Sequence, residues 1–314
     1  MTVVRPLTSS APGAIAILQL EGELDRILGA MSSHEHWPTG SARLASPGGI
    51  DDCMVVRIDE TTAQIMPHGG PRVQQRLLAW LGERGIGPAD ERDADWPEAG
   101  DVIESAMLSV LATAASPLAV DLLLAQPAHW RAGGAWTPED DARSRRLDHL
   151  LTPPRVVVVG EPNVGKSTLL NTLAGRDRVI TSDTPGTTRD FVTAEVECAG
   201  LVVHWFDTPG IRTTDDPVEE QAVELARRLV TEAHLLIAAA DAEHDWPDLP
   251  RAPDLRIATK ADRSPRADAD VVVSATTGHG IPTLVHTIRD TLVPPQDLAA
   301  HRPWRFHPDL PTRA

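Results

Sequence analysis

Lysine is nearly absent from this chain. Of 29 lysines and arginines together, only Lys166 and Lys260 are lysine. Arginine is a wide planar fork and lysine a compact point charge, so each retained lysine marks a place where the fork does not serve. Asparagine is as scarce, with Asn163 and Asn171 alone. Tyrosine is missing, and eight tryptophans take over as the large amphipathic residues. The two cysteines, Cys53 and Cys198, lie far apart, which argues against a disulfide framework and for reduced thiols. No block of basic residues interrupts a net charge of −16. Any RNA contact is therefore local or assisted by a partner. The longest apolar region, Ala106–Ala125, is broken by Pro117 and Asp121 and reads as a buried helical hairpin, not a span. "AIAILQL" is too short, and too weakly basic in front, for a signal peptide. A cytoplasmic protein without membrane contact is expected.

What is present divides the chain into four regions. Residues 1–95 mix short apolar runs with Gly/Pro breaks and one clear helix, "PRVQQRLLAWLGERG", in α+β style. Pro71 suits the first turn of that helix and Gly85 its end. Residues 96–150 read as a linker and short helical connector, with a fresh helix after Pro117 and another capped by Thr137-Pro138-Glu139. Residues 151–295 alternate continuous apolar strands with helices, the pattern of a buried, mostly parallel α/β sheet. One hairpin within it turns at Ala199-Gly200. The stretch from Asp241 to Asp254 is short for a crossover helix. Residues 296–314 are Pro-rich and expected to be irregular; Trp304 and Phe306 there are either a docking motif or pack back on the body.

The chemistry concentrates in the third region. "GEPNVGKST", Gly160 to Thr168, stands between a strand and a helix and matches GxxxxGK[ST]. Glycines at Gly160 and Gly165 let backbone N–H groups, including those of Val164 and Thr168, wrap phosphates at a helix N-terminus. Lys166 would reach the β- and γ-phosphates of GTP or GDP, and Ser167 would ligate Mg²⁺. Asp207, at a strand end in "DTPG", is where a metal-organising carboxylate belongs, and the N–H of Gly210 could sense the γ-phosphate. Between them "TSDTPGTTRD" holds Thr187 and Thr188, of which Thr188 could close over Mg²⁺ as a switch loop does. In "TKAD", Asp262 can accept from guanine N1 and N2 while the stem of Lys260 lies over the base. Thr259 stands where many guanine-specific proteins have asparagine; it is shorter and is expected not to bridge as asparagine does, lowering affinity. Ser274 and Ala275 could bring a backbone N–H to guanine O6.

Together these motifs resemble the translation-factor-related P-loop GTPases, and "GxPNVGKST", "DTPGTTRD" and "DTPGIR" resemble Era, Der and TrmE. "SAPGAIAILQLEG" and "HGGPRVQQRLLAWL" are similar to the first domain of the TrmE (MnmE) family of tRNA-modification GTPases. The resemblance implies a Ras-like GTPase domain behind a small α+β domain and a short helical connector. It implies a homodimer, a folate derivative at the N-terminal domain, and a flavoprotein partner with which wobble uridines of tRNA are modified. The tract before "HGGP" lacks the family's Tyr-Thr-Gly-Glu-Asp run, so folate stays open, and His68 is structural or a remnant of that site. No cysteine follows Cys198, so the family's C-terminal cysteine motif is missing. A second reading is therefore kept: a GTP switch in ribosome assembly without modification chemistry.

Ile211 follows the DxxG glycine and cannot polarise water. The resemblance supplies a substitute. K⁺ would be held by Asn163 and by carbonyls of Ser182 and Thr184, doing the electrostatic work of an arginine finger. Glu219 would orient the attacking water. Its bland reading, an acid in the first turn of a helix, is comparably good.

Overall fold

The computed structural model describes residues 2–8, 13–31, 36–89, 96, 99–175, 192–207, 227–264 and 266–310. They form two compact units, Met1–Thr113 and Ala114–Ala314. The division falls inside the stretch 96–150 that the sequence suggested as one connector. Pro117 lies at the break: it cannot continue the preceding helix and instead starts the next.

In the first unit six strands, β1 (Val3–Pro6), β2 (Leu18–Glu21), β3 (Ala42–Ala45), β4 (Cys53–Arg57), β5 (Thr62–Met66) and β6 (Gly87–Pro88), pair in the order β3-β4-β5-β2-β1-β6. All pairs are antiparallel except β1 with β6. Period-two alternation puts Leu18, Leu20, Val55 and Ile65 on one face. That face is covered by α1 (Asp25–Met31) and α2 (Pro71–Gly82), which bury Ile27, Leu28, Leu77 and Leu81. Pro71 does open α2. The backbone N–H and Nδ1 of His68 each lie 2.8 Å from the Asp51 carboxylate, with the ring exposed. α3 (Val102–Leu111) completes the unit, capped by Asp101, whose side chain accepts from the N–H groups of Ile103 and Glu104.

The second unit opens with α4 (Leu118–Ala132) and α5 (Pro138–Leu147), the latter started by a reciprocal capping box between Thr137 and Asp140. A six-stranded sheet follows: β7 (Arg155–Val159), β8 (Val192–Cys198), β9 (Leu201–Asp207), β10 (Leu235–Ala240), β11 (Leu255–Ala258) and β12 (Val271–Val272). Its order is β12-β11-β10-β7-β9-β8, and only β8 runs antiparallel. Helices α6 (Lys166–Ala174), α7 (described over 227–232), α8 (Ile281–Leu292) and α9 (Pro295–Leu298) accompany it. Val156, Val157, Val158 and Val159 are all buried, as a central strand requires. Chain order reverses beside β7, so the loop leaving β7 lies at the crevice where such sheets bind ligands. The β8–β9 hairpin turns on Ala199 (φ 51°) and Gly200 (φ 89°), a left-handed pair that matches strand twist. The stretch from 241 to 254 carries no helix. Among the described residues no helix is long and apolar enough to cross a membrane.

The C-terminal segment after α9 is irregular yet pinned. Trp304 is fully buried. Its indole donates to Asp148 Oδ1 (3.0 Å), its backbone N–H to Gln126 Oε1 (2.7 Å), and its carbonyl accepts from the Trp130 indole (3.0 Å). Arg302 donates to both oxygens of Asp140 at 2.6 and 2.7 Å, and Arg146 to both oxygens of Asp297 at 2.5 and 3.1 Å. Of the two readings of Trp304 and Phe306, packing against the body holds.

One titration follows from the fold. His149 lies edge-on to His234, ring centroids 5.0 Å apart. Burial, helped by the charge of His234, pulls His149 down from 6.5 to about 4. The unfolded chain takes up a proton that the folded chain refuses until the lower value. Stability is therefore lost as pH falls through that window. The urea midpoint is expected to drop between about pH 7 and about pH 4, and His149→Gln to flatten that slope. An unchanged slope in the variant would assign it to other groups.

Candidate functional site

The loop from β7 into α6 is shaped by two glycines that nothing else can replace. A Cβ on Gly160 would lie 2.2 Å from the carbonyl oxygen of Ala239 in β10, and Gly165 takes φ +100° as it opens the helix. Asn163 also sits in the left-handed region, at φ 67°, with its residue exposed. Val164 is buried and anchors the loop. Lys166 begins α6 at 7% exposure, and its Nζ donates back to the carbonyls of Gly160 (2.8 Å) and Glu161 (3.1 Å). Burial lowers its pKa, opposed by Asp207 and Glu161. The ammonium is thus folded over the loop whose N–H groups point outward from the helix start, an arrangement suited to a polyphosphate.

Asp207 is the last residue of β9 and is buried, and its Oδ2 accepts from Ser167 Oγ at 2.6 Å. A hydroxyl and a carboxylate so close are hard oxygen donors of the kind Mg²⁺ takes, so the donor set fits that ion. Among the described residues no group of three or more His, Cys, Asp or Glu side chains is placed to hold a metal.

Beside the loop a cleft of about 170 Å³ is lined by Gly165, Thr168, Lys260, Asp262, Ala275 and Thr276, among others. The start of α6 and the segments that follow β11 and β12 build it. Asp262 Oδ1 accepts from Ser274 Oγ at 2.5 Å, and that bond holds its carboxyl below the usual carboxylate range. Asp262 therefore presents an ionised acceptor at neutral pH. Ser274 is fully buried; its backbone N–H donates to the His279 carbonyl (3.0 Å). That corrects the expectation that Ser274 offers an N–H to a base: the group is already bonded, and the hydroxyl braces Asp262 instead. Ala275 lines the cleft.

Thr259 corrects a second expectation. Its hydroxyl does bridge, donating to the Val164 carbonyl of the phosphate loop and lying 3.2 Å from the Ala240 carbonyl. Val164 comes close enough for the shorter side chain to span the gap. Removing the hydroxyl takes its donor from the Val164 carbonyl, while the Ala240 carbonyl keeps the Thr259 backbone N–H at 2.9 Å. Thr259→Val is expected to weaken guanine nucleotide binding by roughly 1–2 kcal/mol, measured by calorimetry, whereas Thr259→Asn keeps a bridging donor and most of the affinity.

Lys260, at φ 55°, turns its stem along the loop, so that a Cβ on Gly165 would lie 3.8 Å from its Cε. Its Nζ bonds Asp241 Oδ2 at 2.7 Å. Sequence reading had not singled out Asp241; its signal was an acid closing an otherwise apolar strand, "HLLIAAAD". Ser182, Thr184, Thr187 and Thr188, and likewise Gly210 and Glu219, lie outside the described residues.

Fold and site together define a P-loop GTPase domain. Residues 155–273 match the family model described as 50S ribosome-binding GTPase. The chain is also similar to proteins named tRNA modification GTPase MnmE. The tRNA modification GTPase MnmE of Ruegeria sp. (strain TM1040) is 44% identical over 137 residues, 44% of this chain and 32% of that protein. The same-named protein of Methylobacterium radiotolerans is 33% identical over 258 residues, 80% of this chain and 55% of that one. A solved structure of Aquifex aeolicus Era is 28% identical, covering 44% of this chain and 56% of that chain, with a TM-score of 0.35. The chain spans between 32% and 55% of the length of these curated relatives.

Proposed function

We propose that this chain binds GTP, hydrolyses it to GDP and phosphate, and serves tRNA wobble-uridine modification. One observation carries the reading: the Lys166 ammonium over its loop and the Ser167–Asp207 pair adjoin a cleft whose far wall is the ionised carboxylate of Asp262. A carboxylate there accepts two donors from guanine, and adenine offers no such pair. Lys166 neutralises the polyphosphate. Mg²⁺ would be held by Ser167 and Asp207, with Thr188 joining them, and supplies charge neutralisation at the β- and γ-oxygens.

Ile211 leaves water orientation to another residue, for which Glu219 is proposed. K⁺ would be held by Asn163 with the Ser182 and Thr184 carbonyls. The turnover rate is expected to be at least tenfold higher in KCl than in NaCl, and Asn163→Ala to lose that difference. Equal rates in both salts would remove the potassium proposal. Glu219→Ala with undiminished kcat would remove Glu219.

The tRNA role rests on the match of 258 residues to MnmE, which is longer than the P-loop domain and so includes the N-terminal region. A homodimer, a flavoprotein partner and tRNA are the corresponding partners, in the cytoplasm; a folate derivative is the ligand proposed for the first unit. Mass spectrometry of wobble uridines from a deletion strain tests this, and unchanged modification would sink it. Calorimetry with GTP and ATP tests the base reading, and equal affinities would end it.

A further inference from the structure

We propose that Asp241 is a positioning residue of the base site, fixing Lys260 so that its stem forms a preset wall against the purine. The inference rests on reading the cleft at Asp262 as the base pocket. Asp241 follows β10 and is 3% exposed. Its carboxylate makes four bonds: to Lys260 Nζ (2.7 Å), His244 Nδ1 (2.6 Å), and the backbone N–H groups of Glu243 (3.0 Å) and His244 (3.1 Å). Three of them converge on Oδ1, and Oδ2 takes the Lys260 ammonium. The turn is braced from behind. Arg266 Nη1 donates to the carbonyls of Asp241 (3.0 Å) and His244 (2.5 Å). Arg266 in turn is paired with Asp268 at 2.7 Å and lies 4.4 Å from the centroid of Trp246.

Burial alone would raise the Asp241 carboxyl, but the bonds from Lys260, His244 and Glu243 outweigh it and hold it well below the carboxylate range. The anchor is therefore ionised whenever a nucleotide binds near neutral pH.

Lys260 is held at both ends. Its backbone follows Thr259, which is bonded to β10 and to the phosphate loop, and its ammonium ends on Asp241. A free lysine loses considerable rotamer entropy when it packs on a ligand. Here that ordering precedes the ligand, so more of the contact appears as affinity. An arginine could not make the same point contact, which accounts for the second of the two lysines.

The test is a double-mutant cycle read by calorimetry with GDP and with inosine diphosphate, which lacks the 2-amino group. Asp241→Ala is expected to weaken both ligands about tenfold, because a face contact is lost and not an edge contact. In a Lys260→Ala background Asp241→Ala is expected to cost nothing further. Asp262→Ala, by contrast, weakens GDP more than the inosine ligand. Additive losses, or unchanged affinity in Asp241→Ala, would overturn the proposal. Should Asp241→Ala not fold, Asp241→Asn keeps an acceptor for the turn and is read in the same cycle. Failure of the underlying base-site reading looks different: Lys260→Ala and Asp262→Ala would both leave GDP affinity unaltered, and the proposal would fall with it.

Discussion

Lys166→Ala is expected to abolish measurable GTP turnover and to weaken GDP and GTP binding by on the order of a hundredfold or more. Hydrogen bonds to charged groups contribute about 1.5–3 kcal/mol each, and an ammonium spanning two phosphates makes at least two. The only other lysine in the sequence is tied to Asp241. Lys166→Arg is expected to rescue little. The carbonyls of Gly160 and Glu161 close around a point donor at 2.8 and 3.1 Å, and a planar guanidinium needs more room. Stability should move the other way. The ammonium is desolvated by burial, so the alanine variant is expected to unfold no earlier than the parent in the absence of nucleotide. Calorimetry and phosphate release measure the first effect and thermal unfolding the second. Retained nucleotide affinity would mean that Lys166 is not at the phosphates.

Trp304→Ala is expected to destabilise the second unit by about 3–5 kcal/mol, the usual loss for a fully buried large aromatic. The residue ties Asp148, which accepts from its indole, to α4, where Gln126 accepts from its N–H and Trp130 donates to its carbonyl. Only the first bond is lost with the side chain, but it leaves Asp148, whose pKa burial already raises, without the indole that opposes the shift. In a unit of this size the loss corresponds to a fall of roughly 10 °C in Tm. Nucleotide affinity at low temperature should survive, because none of these partners belongs to the cleft. A Tm shift of a degree or two would mean that the C-terminal segment only rests on the surface.

The phosphate loop could be read from the sequence because backbone geometry leaves no choice there: Gly160 has Ala239 against it, and Gly165 needs a positive φ. The sheet was legible for a similar reason, since strands buried on both faces show as unbroken apolar runs. The hairpin at Ala199-Gly200 announced itself by its turn residues. Misreadings arose where distance in the chain hides distance in space. Thr259 was judged by side-chain length, yet what decides is how near Val164 comes, 95 residues away. Ser274 has the local look of a base-contacting turn, but His279 takes its N–H. Trp304 meets residues 156 to 178 positions earlier, a pairing that no local pattern records. Asp241 was passed over because an acid at a strand end is common, and only its four bonds set it apart.

The sequence holds two side-chain amines, Lys166 at 7% exposure at the start of α6 and Lys260, with its side chain 29% accessible, in the wall of the cleft. Acylating reagents therefore meet one partly accessible side-chain amine, that of Lys260, in the proposed base cleft. Mass spectrometric footprinting with such a reagent becomes an occupancy gauge without any engineered label. A lysine-directed protease likewise has two cleavage points in this sequence, one at the start of α6 and one in the wall of the cleft.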